Sequence, residues 1–171
     1  NLITEVAEIS LSALSKLRVI DLSSNYLKSL PSRLFHDSQE LRELHLQNNS
    51  LSKLNPGLFT GLSKLVILNL KHNEITNDSI TSETFVDLIR VVVLDLSYNR
   101  LARINTYTFQ SQYSLQILFL NNNEIEFIED NAFSSLYNLD TLILSSNKLK
   151  HLNSFTFNGL YVLSSLSLSF N

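Results

Sequence analysis

LQILFLNNN, residues 115–123, is the stretch that decides the fold, because close variants of it recur along the whole chain. The equivalent frames are LRVIDLSSN at 17–25, LRELHLQNN at 41–49, LVILNLKHN at 65–73, VVVLDLSYN at 91–99, LDTLILSSN at 139–147 and LSSLSLSFN at 163–171. Each frame closes on an asparagine, so the repeats end at Asn1, Asn25, Asn49, Asn73, Asn99, Asn123, Asn147 and Asn171. Successive asparagines are 24 residues apart, except for Asn73 and Asn99, which are 26 apart. Self-similarity at such a period indicates a solenoid of stacked coils.

Each frame contains a short segment that alternates with a period of two, which predicts a half-buried strand. In the central frame we expect Leu118 and Leu120 to point inward and Ile117 and Phe119 to point outward. The pattern L-x-x-L-x-L-x-x-N-x-L resembles the leucine-rich repeat. We therefore predict an α/β-type leucine-rich repeat solenoid of about seven 24-residue repeats. It should form a curved right-handed coil with a concave parallel β-sheet and a mostly irregular convex side.

Two further apolar layers are predicted to close the core. The first follows the strands and contains Leu27, Leu51, Ile75, Leu101, Ile125 and Leu149, then Leu30, Leu54, Ile80, Ile104, Ile128 and Leu152. The second, on the far side, is a phenylalanine spine of Phe35, Phe59, Phe85, Phe109, Phe133 and Phe157.

The closing asparagines need a separate explanation, because a buried amide without partners costs a few kcal/mol. An amide side chain offers two donor hydrogens and an acceptor oxygen, which can satisfy its own turn and the adjacent coil. We therefore predict a structural ladder of Asn25, Asn49, Asn73, Asn99, Asn123 and Asn147.

Composition narrows the class of protein. The net charge of −3 and the pI of about 5.8 argue against nucleic acid as the main partner. No segment approaches the roughly 20 apolar residues of a membrane helix, and there is no cysteine. Because repeat arrays generally need polar terminal units, we expect residues 1–171 to be an internal segment of a longer array without caps.

Little in the sequence suggests chemistry. The four histidines do not fall in metal-ligand spacings, and no nucleophile or phosphate-binding motif is present. We predict no catalytic, metal-binding or cofactor-binding residue, and hence no enzyme and no cofactor. His45 alone is placed to meet carboxylates, Glu43 in its own strand and Asp21 one coil away, with Asn69 one coil away on the other side. A solvated pair on an open surface is the preferred interpretation.

The outward strand positions form two columns that predict a binding wall. They are Val19, Glu43, Ile67, Val93, Ile117, Thr141 and Ser165, and then Asp21, His45, Asn69, Asp95, Phe119, Ile143 and Ser167. The candidate protein-binding residues are apolar and adjacent: Ile67, Val93, Ile117, Phe119 and Ile143. The alternative is that these side chains pack on one another to stabilise the sheet.

Two surface features remain. The run NEITNDSITSETF at 73–85 contains two extra residues between Ile75 and Ile80. Insertions in solenoids often lie at binding faces, and equally often they are tolerated drift without a function. Asn77 lies in this insertion and begins the sequon N-D-S, whereas Asn48 begins N-N-S. Of the two candidate N-glycosylation sites, Asn77 is the preferred one on position alone.

The C-terminal half carries a narrower resemblance. RVVVLDLSYNRL at 90–101, SLQILFLNNNEIEFI at 114–128, NLDTLILSSNKL at 138–149 and FNGLYVLSSLSLSFN at 157–171 are similar to the ectodomains of insect Toll receptors, in the long-ectodomain branch of the Toll-like receptor family. The resemblance implies the extracellular part of a plasma-membrane receptor in innate immune or developmental signalling. It also implies a protein ligand of the cystine-knot type or another cell-surface receptor, and is compatible with receptor dimerisation. The alternative is a secreted structural or adhesive leucine-rich repeat protein.

Overall fold

The computed structural model describes residues 1–171 as a stack of coils, each of which contributes one three-residue strand to a single sheet. These strands are β1 (Val19–Asp21), β2 (Glu43–His45), β3 (Ile67–Asn69), β4 (Val93–Asp95), β6 (Ile117–Phe119), β8 (Thr141–Ile143) and β9 (Ser165–Ser167). Two shorter strands, β5 (Arg103–Ile104) and β7 (Phe127–Ile128), pair outside this sheet. The remaining chain is turns and irregular segments with one 3-10 helix, Asn77–Ser79. No helix has the length and apolar character needed to cross a lipid bilayer.

The main sheet is parallel and follows chain order, β1-β2-β3-β4-β6-β8-β9. Its register pairs each residue with the one a repeat later, so Leu94 lies beside Leu118 and Leu118 beside Leu142. The predicted alternation is confirmed, because the central residue of β1 to β4, β6 and β8 is buried and its two neighbours are not.

The predicted apolar layers form one continuous core. Phe109 and Phe133 are fully buried, and their rings stack with centroids 6.2 Å apart, which confirms the phenylalanine spine. The last coil differs from the prediction. Leu152 is 49% exposed, and Leu149 and Phe157 are only half-buried, because no later coil of this chain covers them.

The asparagine ladder is confirmed in detail. Asn99 Oδ1 accepts a hydrogen bond from Ile75 N at 2.9 Å, one coil earlier. Its Nδ2 donates to Leu96 O in the same coil at 3.1 Å and to Leu70 O in the preceding coil at 3.0 Å. The same arrangement recurs at Asn25, Asn49, Asn73, Asn123, Asn147 and Asn171, where Oδ1 accepts from the backbone N–H found 22 residues earlier.

The residue before each ladder asparagine has a left-handed backbone that the sequence pattern did not reveal. This column consists of Ser24, Asn48, His72, Tyr98, Asn122, Ser146 and Phe170, with φ between 51° and 57°. The left-handed region costs an L-residue roughly 1–2 kcal/mol. Of the residue types in this column, asparagine tolerates it best. The ladder bonds are what hold the turn in this conformation.

The two-residue insertion forms a surface turn, as predicted. It contains the 3-10 helix Asn77–Ser79 and returns the chain to the core at Ile80, which is 4% exposed.

Candidate protein-binding surface

The outer face of the main sheet carries the two predicted columns, which we call the strand wall. The pairing places Ile67 beside Val93 and Val93 beside Ile117 in the first column. Phe119 lies beside Ile143 in the second column, with Asp95 on its other side. The structure therefore brings all five apolar candidates, Ile67, Val93, Ile117, Phe119 and Ile143, onto four adjacent strands.

These five side chains lie on the outer face, as expected, and are half-buried there. Each strand stands about 4.8 Å from the next, so bulky neighbours in one column shield one another laterally. The patch thus combines both interpretations of the sequence: its side chains support the sheet and still present an apolar surface.

Most polar side chains of the second column accept hydrogen bonds from the turn that follows their own strand. Asp95 Oδ1 accepts hydrogen bonds from Ser97 N at 2.9 Å and from Ser97 Oγ at 2.6 Å. Asp21 accepts from Ser23 N at 2.9 Å, and Asn69 accepts from Lys71 N at 3.1 Å. These are turns closed by a short polar side chain. The D-L-S sequence that recurs at 21–23 and 95–97 is the sequence signal for these turns.

His45 lies between Asp21 and Asn69, as predicted, and its Nε2 is 3.2 Å from Glu43 Oε2. The pKa of Asp21 is held below its ordinary value mainly by hydrogen bonds from Ser23, with a smaller contribution from the charge of His45. No group of three or more His, Cys, Asp or Glu side chains is arranged to hold a metal. The geometry is that of a contact on an open surface.

Asp140 adds a negative charge beside the apolar patch. Its carboxylate accepts hydrogen bonds from Ser164 Oγ at 2.6 Å and from Thr141 Oγ1 at 3.0 Å. These bonds, from Ser164 first, lower the pKa of Asp140. Because no lysine or arginine occurs from residue 104 to 147, the patch has an acidic rim at Asp95 and Asp140.

Two aromatic features flank the strand wall, and sequence reasoning missed both. On one edge the rings of His72 and Tyr98 stack with centroids 4.0 Å apart, and Lys71 Nζ lies 5.2 Å from the Tyr98 centroid. On the other edge Tyr113 and Tyr137 stack at 6.0 Å, and each is 49% exposed. Their spacing of one repeat was the available signal.

The two sequons occupy different environments. Asn48 is exposed in the left-handed turn after β2, whereas Asn77 is half-buried and bonded to the next coil. Which of them accepts a glycan stays a prediction.

Comparison with known proteins agrees with the repeat pattern. The family model described as leucine rich repeat matches residues 1–51, 39–101, 77–125, 89–149 and 113–171, which together span the chain. Among curated proteins, none matches this chain in sequence.

Solved structures share the fold. TLR13, solved in complex with ssRNA13, is 28% identical over 96% of this chain with a TM-score of 0.74. A leucine-rich repeat protein of Leptospira interrogans, LIC12759, is 29% identical over 96% with a TM-score of 0.82. Drosophila Toll in its complex with Spätzle is 21% identical over 98% with a TM-score of 0.68. The chain spans 26%, 40% and 30% of these three chains, respectively.

Proposed function

This chain belongs to the leucine-rich repeat family, and we propose that it forms a ligand-binding segment of a Toll-type cell-surface receptor ectodomain. Leucine-rich repeat domains bind proteins and are typically non-enzymatic. The proposal assigns the chain to the extracellular part of a receptor in innate immune or developmental signalling. Its support is the resemblance of most of residues 73–171 to insect Toll ectodomains, together with the fold shared with TLR13 and Drosophila Toll.

The observation that carries the binding role is the apolar patch on the strand wall. Phe119 and Ile143 are adjacent in one column, and Ile117 lies on the same strand as Phe119. An aromatic anchor among β-branched residues, with a polar rim, has the composition of an interface hot spot.

Charge favours a protein partner over a polyanion. TLR13 is solved with single-stranded RNA, but a phosphate backbone is bound chiefly through lysine and arginine. The patch at β6 and β8 has Asp95 and Asp140 at its rim and no basic residue between positions 104 and 147. The family resemblance implies a cystine-knot ligand or another receptor ectodomain. Either would complement this surface if it carries basic groups around an apolar centre.

The test is a binding titration on a full ectodomain that contains this segment, with recombinant cystine-knot proteins and receptor ectodomains as probes. Phe119→Ala should weaken the complex by about 2 kcal/mol or more, which is about 30-fold in Kd. Because the ring is half-buried, the melting temperature of the variant is measured in parallel to show that it is folded.

Two controls separate the patch from the rest of the surface. Lys150→Ala lies outside both outward columns, and Val19→Ala lies in an outward column at the far end of the sheet, where Val19 is 51% exposed. Both should bind as the unmodified protein does. Equal affinity for the unmodified protein and a folded Phe119→Ala would assign the patch to sheet packing and refute this site.

The second candidate function is a structural or adhesive extracellular protein. The leucine-rich repeat protein of Leptospira interrogans is as similar to this chain as TLR13 is, at 29% and 28% identity, so the shared fold does not single out a Toll-type receptor. In that case the chain should bind matrix or cell-surface components and none of the cystine-knot probes.

A further inference from the structure

The two N-x-S sequons have opposite roles, and we propose that Asn48 accepts an N-linked oligosaccharide whereas Asn77 stays unmodified as the cap of a sheet edge. The two amide groups differ in what they contact. This difference is independent of the receptor assignment, because it concerns any form of this chain that enters a secretory pathway.

The side chain of Asn77 is bonded to the backbone of the next coil through both of its polar atoms. Its Oδ1 accepts hydrogen bonds from Ala102 N at 2.8 Å and from Arg103 N at 3.1 Å. Its Nδ2 donates to Arg103 O at 2.7 Å. Strand β5 pairs with β7 along one edge, so the Asn77 amide satisfies the N–H and C=O of Arg103 that face away from β7.

Neighbouring coils show why an amide is needed at this position. Glu126 N donates to Ala102 O at 2.9 Å, and Ser52 N donates to Lys28 O at 3.3 Å, each to a backbone carbonyl one coil earlier. The equivalent carbonyl for Ala102 N belongs to Thr76. In the insertion, Thr76 O instead accepts from Ser79 N at 3.2 Å and from Ser79 Oγ at 2.8 Å.

The two extra residues therefore turn the backbone acceptor away from the next coil, and the Asn77 amide replaces it. An uncapped edge would leave the polar groups of Arg103 without a partner in the chain. The Asn77 side chain thus hydrogen-bonds the edge of β5 as a neighbouring strand would.

Glycan transfer would destroy this cap. In the transfer, Nδ2 loses one proton and forms a bond to the anomeric carbon of a lipid pyrophosphate-linked oligosaccharide, whose bond to the pyrophosphate oxygen breaks. The product is a secondary amide, which is trans, so the sugar replaces the hydrogen on the same side as Oδ1. That hydrogen is the one directed at Arg103 O while Oδ1 faces Arg103 N. A sugar at this place would collide with β5.

Asn48 has no comparable task. Its side chain is exposed, and its one contact is from Nδ2 to Ser24 Oγ at 3.4 Å. The ladder function at this turn belongs to the next residue, Asn49, whose amide bonds the backbone of Leu22, Leu27 and Leu46. The left-handed backbone of Asn48, with φ of 56°, is one that asparagine tolerates.

A glycan on Asn48 would leave the Phe119 end of the candidate interface free. Asn48 follows β2, and β2 is three strands away from β6 in the sheet order, about 14 Å at 4.8 Å per strand. The bulky oligosaccharide would stand at the edge of the strand wall beside β2, away from Phe119.

The experiment secretes this chain from insect cells behind a cleavable signal sequence and measures the occupancy of each sequon by glycopeptide mass spectrometry. The matched variants are Ser50→Ala and Ser79→Ala, each of which removes one sequon and leaves its asparagine in place. We expect Ser50→Ala to lose the mass of one oligosaccharide and Ser79→Ala to leave the mass of the glycan unchanged.

A second pair of variants tests the cap itself. Asn77→Ala should lower the melting temperature of the deglycosylated protein by about 3 °C or more, because it removes the partners of Arg103. Asn48→Asp, which keeps a residue type that tolerates the left-handed turn, should lower it by less than half as much. An oligosaccharide on Asn77 of the folded secreted protein, an empty Asn48, or equal melting temperatures for the two variants would each overturn the proposal.

Discussion

At the scale of single residues, the ladder asparagines show how one side chain supports two coils. The carbonyl of Leu96 accepts from both Asn99 Nδ2 and Asn123 Nδ2, and Leu70 O accepts from both Asn73 and Asn99. Ile75 N, in contrast, has Asn99 Oδ1 as its acceptor. Loss of one asparagine therefore leaves the shared carbonyls with a partner and orphans one buried N–H.

Asn99→Ala tests this arrangement. We expect a loss of about 1–3 kcal/mol in the free energy of unfolding, because the N–H of Ile75 stays buried without an acceptor. The measurement is urea denaturation. The matched control is Asn121→Ala, whose side chain makes no hydrogen bond and which should change stability by less than about 0.5 kcal/mol. A change of that small size for Asn99→Ala would mean that the amide is dispensable.

The carboxylate of Asp140 gives a prediction about pH. Hydrogen bonds from Ser164 and Thr141 lower its pKa in the folded protein, so this group stabilises the fold above its unfolded pKa of about 3.9. That contribution is lost as the pH falls below about 4 and the carboxylate is protonated. Ser164→Ala should move the pKa of Asp140 up toward its ordinary value in an NMR titration of side-chain carboxyl groups. Ser165→Ala, one residue along, is the control, and identical midpoints in both variants would contradict the assignment to Ser164.

At the scale of elements, neighbouring coils approach so closely on the far side of the solenoid that one position excludes a side chain. Gly159 has φ of 96°, and a Cβ built on it would lie 2.5 Å from Ser134 Cα and 2.8 Å from Ser134 O. These are backbone atoms of the preceding coil, which cannot move without shifting that coil. Gly61 has φ of 82° as well, but a Cβ there would meet no atom within 4 Å.

The two glycines separate backbone strain from collision between coils. Gly61→Ala should cost about 1 kcal/mol from the left-handed conformation alone. Gly159→Ala adds a steric collision and should cost about 3 kcal/mol in total. Thermal or urea melts of the two variants give the comparison. Equal losses would show that the coils can separate to accommodate a methyl group.

The elements that the sequence predicted are those fixed by repetition. Leu118 and its equivalents were assigned correctly because an apolar residue at every second strand position and every 24th chain position has one way to be buried. The role of Asn77 was not predictable in the same way, since it depends on where a two-residue insertion directs the carbonyl of Thr76. Gln112 shows the same limit: it stands in a leucine column, yet its Nε2 donates to Phe85 O at 2.6 Å. Such hydrogen bonds do not recur at the repeat spacing, so no periodic pattern in the sequence reveals them.

The candidate interface was predicted to a similar extent. Register followed from the repeat, so the neighbours of Phe119 were correct. The outward orientation also followed from the alternation, but the degree of exposure did not, because it depends on how side chains in adjacent strands shield one another. The stacked pairs His72–Tyr98 and Tyr113–Tyr137 lie outside the strands, where the period-two alternation does not reach.

At the scale of the whole molecule, the fold has no contacts between distant coils. Each strand of the main sheet pairs with its immediate neighbours in the order β1-β2-β3-β4-β6-β8-β9. The core is continuous, but each of its layers is shared by two adjacent coils. Stability in such an array is close to a sum of coil and nearest-neighbour terms, so damage in one coil should stay local.

Leu118→Ala tests how far a core defect spreads. Leu118 is fully buried in β6, and its truncation should cost about 2–5 kcal/mol through lost burial and an unfilled cavity. Strands β4 and β8 flank β6, so hydrogen exchange measured by mass spectrometry should accelerate in peptides covering residues 91–97, 115–121 and 139–145. Peptides covering β2, at residues 41–47, should keep the protection of the unmodified protein, because three strand interfaces separate them from the defect. The reference variant is Leu44→Ala, an equally buried leucine in β2, which should reverse the pattern by exposing residues 41–47 and sparing 139–145. If either substitution accelerates exchange evenly along the chain, the array unfolds as one cooperative unit, and the nearest-neighbour description fails for this protein.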